Sequence, residues 1–131
     1  AVVSTLGPNG RNVLIDQYPG YPLSTKDGVT VAKMVYGDTK GKDLGVQVVK
    51  AAAMKTADKA GDGTTTSTLL AREMIKAGLS HLNNNANAVD IKRSIDVAVQ
   101  QVIETLRANS EDISSEEQLQ QVATISANKV N

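Results

Sequence analysis

Residues 43–82 read DLGVQVVKAA AMKTADKAGD GTTTSTLLAR EMIKAGLSHL, and this stretch decides the fold. From Asp43 to Ala60 it is rich in Ala and Lys, and Leu44, Val48, Val49, Ala51 and Ala52 give one apolar helical face. Gly61 ends that helix. A second helix is expected to start near Thr64 or Thr65 and run to about Leu82, with Ala71, Ile75, Leu79 and Leu82 spaced by a turn of helix. Two long helices therefore meet at a Gly-Asp-Gly turn that leads straight into a row of hydroxyl side chains.

Working outward toward the N-terminus, Asn12-Val13-Leu14-Ile15-Asp16 has strand composition, Tyr18-Pro19-Gly20 is turn chemistry, and Tyr21 to Thr25 returns as a second strand. This predicts a β-hairpin. Lys26-Asp27-Gly28 then turns the chain, and Val29-Thr30-Val31-Ala32 fits either a strand or the opening of a helix. Toward the C-terminus, Asn83-Asn84-Asn85 breaks the second helix. Asn87 serves as N-cap of a third, whose Ile91, Ile95, Val99, Val102 and Leu106 share one face to about Asn109. A last helix is expected from Ser114, with Glu117 three residues on as a capping box, through Leu119 and Val122 toward Ile125. The fold class is mainly α: a bundle of long helices with one small hairpin.

Composition excludes several classes. The 131 residues fit one domain with one core, built without Phe or Trp from aliphatic side chains. With 14 basic and 14 acidic residues interspersed, the chain has no positive field for nucleic acid or an anionic membrane. No cysteine is present, which removes disulfides, thiol nucleophiles and zinc-cysteine sites. No apolar run approaches the roughly 20 residues of a membrane span. His81 is the one histidine, so neither a histidine metal site nor a Ser-His-Asp arrangement stands behind it. Lys40, Lys42, Lys50, Lys55 and Lys59 alternate with Asp38, Asp43 and Asp58 as a solvated helix face. The start at Ala1-Val2-Val3 without an initiator Met, and the end at Val130-Asn131 just past a helical pattern, read as cuts through a longer protein.

The chemistry concentrates in Ala60-Gly61-Asp62-Gly63-Thr64-Thr65-Thr66-Ser67. The first N–H groups of a helix have no intrahelical partner and carry the positive end of its dipole, which stabilises an anion there. Glycine lets backbone approach a ligand closely, and the hydroxyls add donors. Asp62 would repel phosphates unless Mg²⁺ lies between, an ion that takes one or two carboxylates together with phosphate oxygens and water. The alternative is purely structural: Gly61 as C-cap, Asp62 or Thr64 as N-cap, and a tight turn. Three consecutive threonines exceed what a cap requires, and they are poor helix formers. No Lys follows the glycines, so this is not the Gly-Lys-Ser/Thr phosphate loop. Thr5-Leu6-Gly7-Pro8-Asn9-Gly10-Arg11 and Thr25-Lys26-Asp27-Gly28 are by themselves turns.

In order and spacing, Thr5-Leu6-Gly7-Pro8, Gly10-Arg11-Asn12-Val13, Thr25-Lys26-Asp27-Gly28-Val29, Ala60 to Thr66 and Ile125-Ser126-Ala127-Asn128 resemble group I chaperonins. Asp90-Ile91-Lys92-Arg93 with Ile95-Asp96 extends the resemblance along essentially the whole chain. It implies part of an equatorial domain, truncated at both ends, in a double-ring ATPase that assists protein folding. The cofactors implied are ATP and Mg²⁺.

By this resemblance Thr5, Leu6, Gly7 and Pro8 line the nucleotide and Lys26 faces its phosphates. Asp62 holds Mg²⁺ through the phosphates, and Gly63, Thr64, Thr65 and Thr66 cradle them. Asp27 helps organise hydrolysis, Ile125 packs near the nucleotide, and the hairpin pairs with a neighbouring subunit. The partners implied are identical subunits in stacked rings, with unfolded polypeptides and a co-chaperonin engaged by parts of the protein outside this chain. The implied location is the cytoplasm or an organelle matrix. A further catalytic carboxylate and the purine-binding residues are implied beyond Asn131. Asn9 stands where the family commonly has Lys, and Asn83 to Asn85 is an unusual polar turn for it. The competing reading is a non-catalytic helical oligomerisation module.

Overall fold

The computed structural model describes residues 1–127, so Asn128 of the Ile125-Ser126-Ala127-Asn128 motif and the closing Val130-Asn131 lie outside the described residues. A 3₁₀ turn, Val2–Thr5, is followed by β1 (Val13–Ile15) and β2 (Leu23–Thr25), then α1 (Gly28–Met34), α2 (Lys40–Ala60), α3 (Thr64–Asn83), α4 (Ala88–Asn109) and α5 (Glu116–Ser126). The mainly helical class with one small hairpin is as the sequence predicts. The chain divides into two compact units, Ala1–Leu79 and Ser80–Asn131, at a point inside α3 where no linker marks it.

In the first unit the hairpin is antiparallel, with Val13 opposite Thr25 and Ile15 opposite Leu23. Period-two alternation turns Val13 and Ile15 toward a core of Val2, Val31 and Ala32, which Val35 and Met54 complete, and leaves Leu14 exposed. Val31 is 1% exposed, the largest side chain buried so fully. Tyr18 and Tyr21 stand out at the hairpin tip, each 93% exposed.

The run after Gly28, ambiguous in sequence, is helical because Asp27 caps it: the carboxylate accepts from the amides of Val29 at 3.3 Å and Thr30 at 3.0 Å. α2 begins three residues ahead of Asp43, at Lys40, since Thr39 supplies the cap by accepting from the Lys42 amide at 3.4 Å. Asp43, in the first turn, accepts from the Gly37 amide instead. Gly61 ends the helix in the left-handed region, φ 72°, and its amide donates to Ala57 O at 2.9 Å. Lys50 departs from the expected solvated row. Its Nζ donates to the Lys33 carbonyl near the end of α1 at 2.5 Å and lies 4.9 Å from the Tyr36 ring centre.

In the second unit Asn87 caps α4 as expected, accepting from the Val89 amide at 2.8 Å. The Lys92–Asp96 pair at 2.6 Å is exposed and lies one helical turn apart. The capping box of α5 sits one residue later than predicted. Ser115 Oγ accepts from the Gln118 amide at 3.2 Å, while Gln118 Oε1 accepts from the Ser114 amide at 2.9 Å. Ser114-Ser115-Glu116-Glu117-Gln118 satisfies the box in two registers, and the pairing with Gln118 prevails. No residue of α4 or α5 is buried, although α4 carries the apolar stripe that its sequence predicts. No helix among the described residues is long and apolar enough to cross a membrane.

Candidate anion and metal site at the start of the third helix

α1, α2, α4 and α5 each begin with a side chain that accepts one or more of the first amides. α3 begins differently. Its cap position is Gly63, at φ 80°, a residue with no side chain to offer and in a backbone region that L-residues rarely occupy. Gly63 O accepts from the Ser67 amide at 2.9 Å, and among the described residues no side chain takes the amides of Thr64, Thr65 or Thr66. Asp62 does not reach them: its Oδ1 accepts from the Gly63 amide at 2.6 Å, and the carboxylate is otherwise exposed. Of the capping reading, Gly61 is the C-cap of α2 as expected, whereas among the described residues neither Asp62 nor Thr64 caps α3.

Thr64 is 4% exposed, and its Oγ1 is buried with no hydrogen-bond partner among the described residues. A buried hydroxyl without a partner costs about 1–3 kcal/mol, a cost that a bound water, an ion or a ligand oxygen would relieve. Thr68, one turn on, satisfies its own hydroxyl by donating to Thr64 O at 2.8 Å. Thr66 is exposed and Thr65 half-buried.

The fold draws two further predicted segments to this helix start. Thr5, 6% exposed at the end of the 3₁₀ turn, has its Oγ1 3.5 Å from Thr65 Oγ1. Gly28, the first residue of α1, is buried directly against Thr65. Leu6, Gly7 and Pro8 continue from Thr5 as an exposed turn, with Gly7 at φ 72° and its carbonyl accepting from the Gly10 amide at 3.0 Å. Lys26 is half-buried between β2 and α1. Ile125 belongs to α5 in the second unit and is 75% exposed. Sequence reasoning named the Gly28 turn but not its steric role. Only the position of glycine where a helix-forming residue would otherwise serve could have signalled it.

The carboxylate of Asp27 is fixed by three bonds, the two capping amides and the Thr30 hydroxyl at 2.5 Å. Burial raises its pKa, but the Thr30 hydroxyl, the amides of Thr30 and Val29, and the charge of Lys33 together outweigh that and hold the carboxyl below its ordinary value. A lowered folded-state pKa means that the stabilisation is complete above the ordinary carboxylate range, about 4, and is lost as pH falls through the folded value. Asp27→Ala is expected to destabilise α1 by about 1 kcal/mol at neutral pH. The difference from wild type should shrink at pH 3, which hydrogen exchange of the α1 amides at the two pH values will measure.

The donor set suits a polyanion accompanied by a hard cation. It offers open amides, an orphaned hydroxyl and one exposed carboxylate, and among the described residues no group of three or more acidic or histidine side chains is able to hold a metal alone. A divalent ion here would need oxygens from the anion itself.

A sequence model of the TCP-1/cpn60 chaperonin family matches residues 1–130. Among solved structures, the chaperonin gp146 from the bacteriophage EL 2 (Pseudomonas aeruginosa), determined in the presence of ATP-BeFx, aligns with a TM-score of 0.68 at 30% identity, over 98% of this chain and 25% of that one. A group III chaperonin in the open state aligns with a TM-score of 0.72 at 23% identity, over 87% of this chain and 22% of that one, a likeness of fold. The chain thus spans about a quarter of the length of the chaperonin structures that it matches.

Proposed function

Because the chain belongs to the TCP-1/cpn60 chaperonin family, we propose that it is the nucleotide-phosphate-binding part of a chaperonin equatorial domain, in a subunit that hydrolyses ATP with Mg²⁺ while assisting protein folding. The observation that carries this reading is the start of α3, where uncapped amides and the partnerless Thr64 Oγ1 lie beside an exposed Asp62. The bacteriophage relative was determined with ATP-BeFx present, which supports nucleotide as the polyanion. Assignment to group I rests on the series of motifs from Thr5 to Ile125.

In this proposal the amides of Thr64, Thr65 and Thr66 and their hydroxyls bind phosphate oxygens, Gly63 lets them approach, and Lys26 adds a positive charge. Thr5, Leu6, Gly7 and Pro8 line the nucleotide from the opening turn. Asp62 would hold Mg²⁺ together with the phosphates, and the bound ion would supply neutralisation of the charge that develops as the γ-phosphoryl group passes to water and ADP departs. Asp27 stays ionised and fixed. Two of its bonds fall on Oδ2 and one on Oδ1, so Oδ1 keeps an acceptor site with which to orient the attacking water. Stacked rings of identical subunits, substrate polypeptides, a co-chaperonin and a cytoplasmic or organelle-matrix location are proposed on the same family ground.

The test is calorimetric titration of MgATP into the intact subunit together with phosphate release. The intact subunit is expected to bind and turn over, and residues 1–131 alone to release essentially no phosphate. An intact subunit that binds no MgATP would overturn the proposal. The second reading, an oligomerisation module without turnover, is favoured by the hairpin tip with its exposed Tyr18 and Tyr21. It predicts ring assembly with no phosphate release.

A further inference from the structure

We infer that Gly28 is a positioning residue for the phosphate loop, the missing side chain that lets the start of α1 close on the first turn of α3 and hold the Thr65 hydroxyl against Thr5; this rests on the function proposed above. Gly28 is not required by its backbone. It is absent from the positive-φ glycines, which are Gly7, Gly61 and Gly63, so alanine would adopt its conformation without strain and would favour the helix that it begins. Space is what requires glycine. A Cβ at this position would overlap Thr65 Oγ1, come within 3.3 Å of Thr65 Cβ and lie 3.6 Å from Thr5 Oγ1.

Those neighbours are not flexible tips. Thr65 is β-branched on the first turn of α3, where its χ1 has few wells, and Thr5 is buried, with its hydroxyl donating to Val2 O at 2.8 Å. A methyl group at 28 leaves two outcomes. Thr65 rotates its hydroxyl away from Thr5, or α1 and the opening turn retreat from α3. Either moves a proposed phosphate donor relative to the open amides, although Gly28 touches no ligand itself. Binding geometry of this kind is sensitive to displacements near 1 Å.

The experiment is a double-mutant cycle on the intact subunit, read both as melting temperature without nucleotide and as calorimetric affinity for MgATP. G28A alone is expected to lower Tm by about 4 °C or more and to weaken MgATP about ten-fold. T65A removes the overlapping oxygen, so adding G28A in the T65A background should no longer lower Tm or affinity, while the helix preference of alanine should raise Tm slightly. T65V keeps the shape and loses the hydrogen bond, so G28A in the T65V background should remain destabilising. If G28A matches wild type in both readouts, or its effects in the T65A background are as large as in wild type, the inference is overturned. If wild type itself binds no MgATP, the proposed function fails, and the positioning role fails with it. A wild type that binds while G28A binds equally well defeats the positioning role alone.

Discussion

Asp62→Ala in the intact subunit is expected to weaken MgATP binding by at least about 100-fold, roughly 3 kcal/mol, while weakening metal-free ATP little or even strengthening it. The opposite signs follow from electrostatics. Asp62 is exposed and spends one oxygen on the adjacent Gly63 amide, so its charge is not neutralised by any ion pair among the described residues. Without a cation that charge repels a triphosphate placed at the start of α3. With Mg²⁺ between them it would become a ligand, and no cluster of three or more acidic or histidine side chains among the described residues offers a substitute. Asp62→Asn separates charge from geometry, since it retains an acceptor for the Gly63 amide; it should behave like Asp62→Ala toward MgATP. Calorimetry with and without EDTA measures both arms. Unchanged MgATP affinity in Asp62→Ala would remove the metal role from this residue.

Thr64→Val should separate stability from binding. Valine matches threonine in shape, and the hydroxyl that it removes is buried with no partner among the described residues. Removing an unsatisfied buried polar group is expected to stabilise the ligand-free subunit by about 1 kcal/mol. The same change deletes a proposed donor to a charged phosphate oxygen, a bond of about 1.5–3 kcal/mol, so MgATP affinity should fall ten-fold or more. Thermal melting with and without MgATP reads both effects. A variant less stable without ligand, or equally tight with it, would show that the Thr64 hydroxyl serves no ligand. An ordinary capping turn predicts neither half of this pattern, because a capping hydroxyl has a partner in the folded protein.

Much of the fold was legible because its signals are local. Gly61 as a C-cap, Asn87 as an N-cap and the turn between β1 and β2 depend on residues within about four positions of each other. The ambiguous run after Gly28 and the one-residue shift of the α5 box show where that legibility stops. In both places the sequence satisfies two local solutions, and the choice turned on which side chain found its amide. In α1 the Asp27 carboxylate took both amides, and in α5 Gln118 prevailed over Glu117.

For the candidate site, the sequence by itself determined the donors: a glycine-rich turn, one carboxylate and a row of hydroxyls opening a helix, which the order of motifs tied to a family. Only the tertiary structure decided that Thr5 and Gly28 meet Thr65, that α3 alone among the α-helices begins without a side-chain cap, and that Thr64 Oγ1 is buried with no partner among the described residues. The reason is physical. Caps and turns are fixed by neighbours along the chain, whereas contacts across 60 residues of sequence exist only after a core such as that around Val31 has packed.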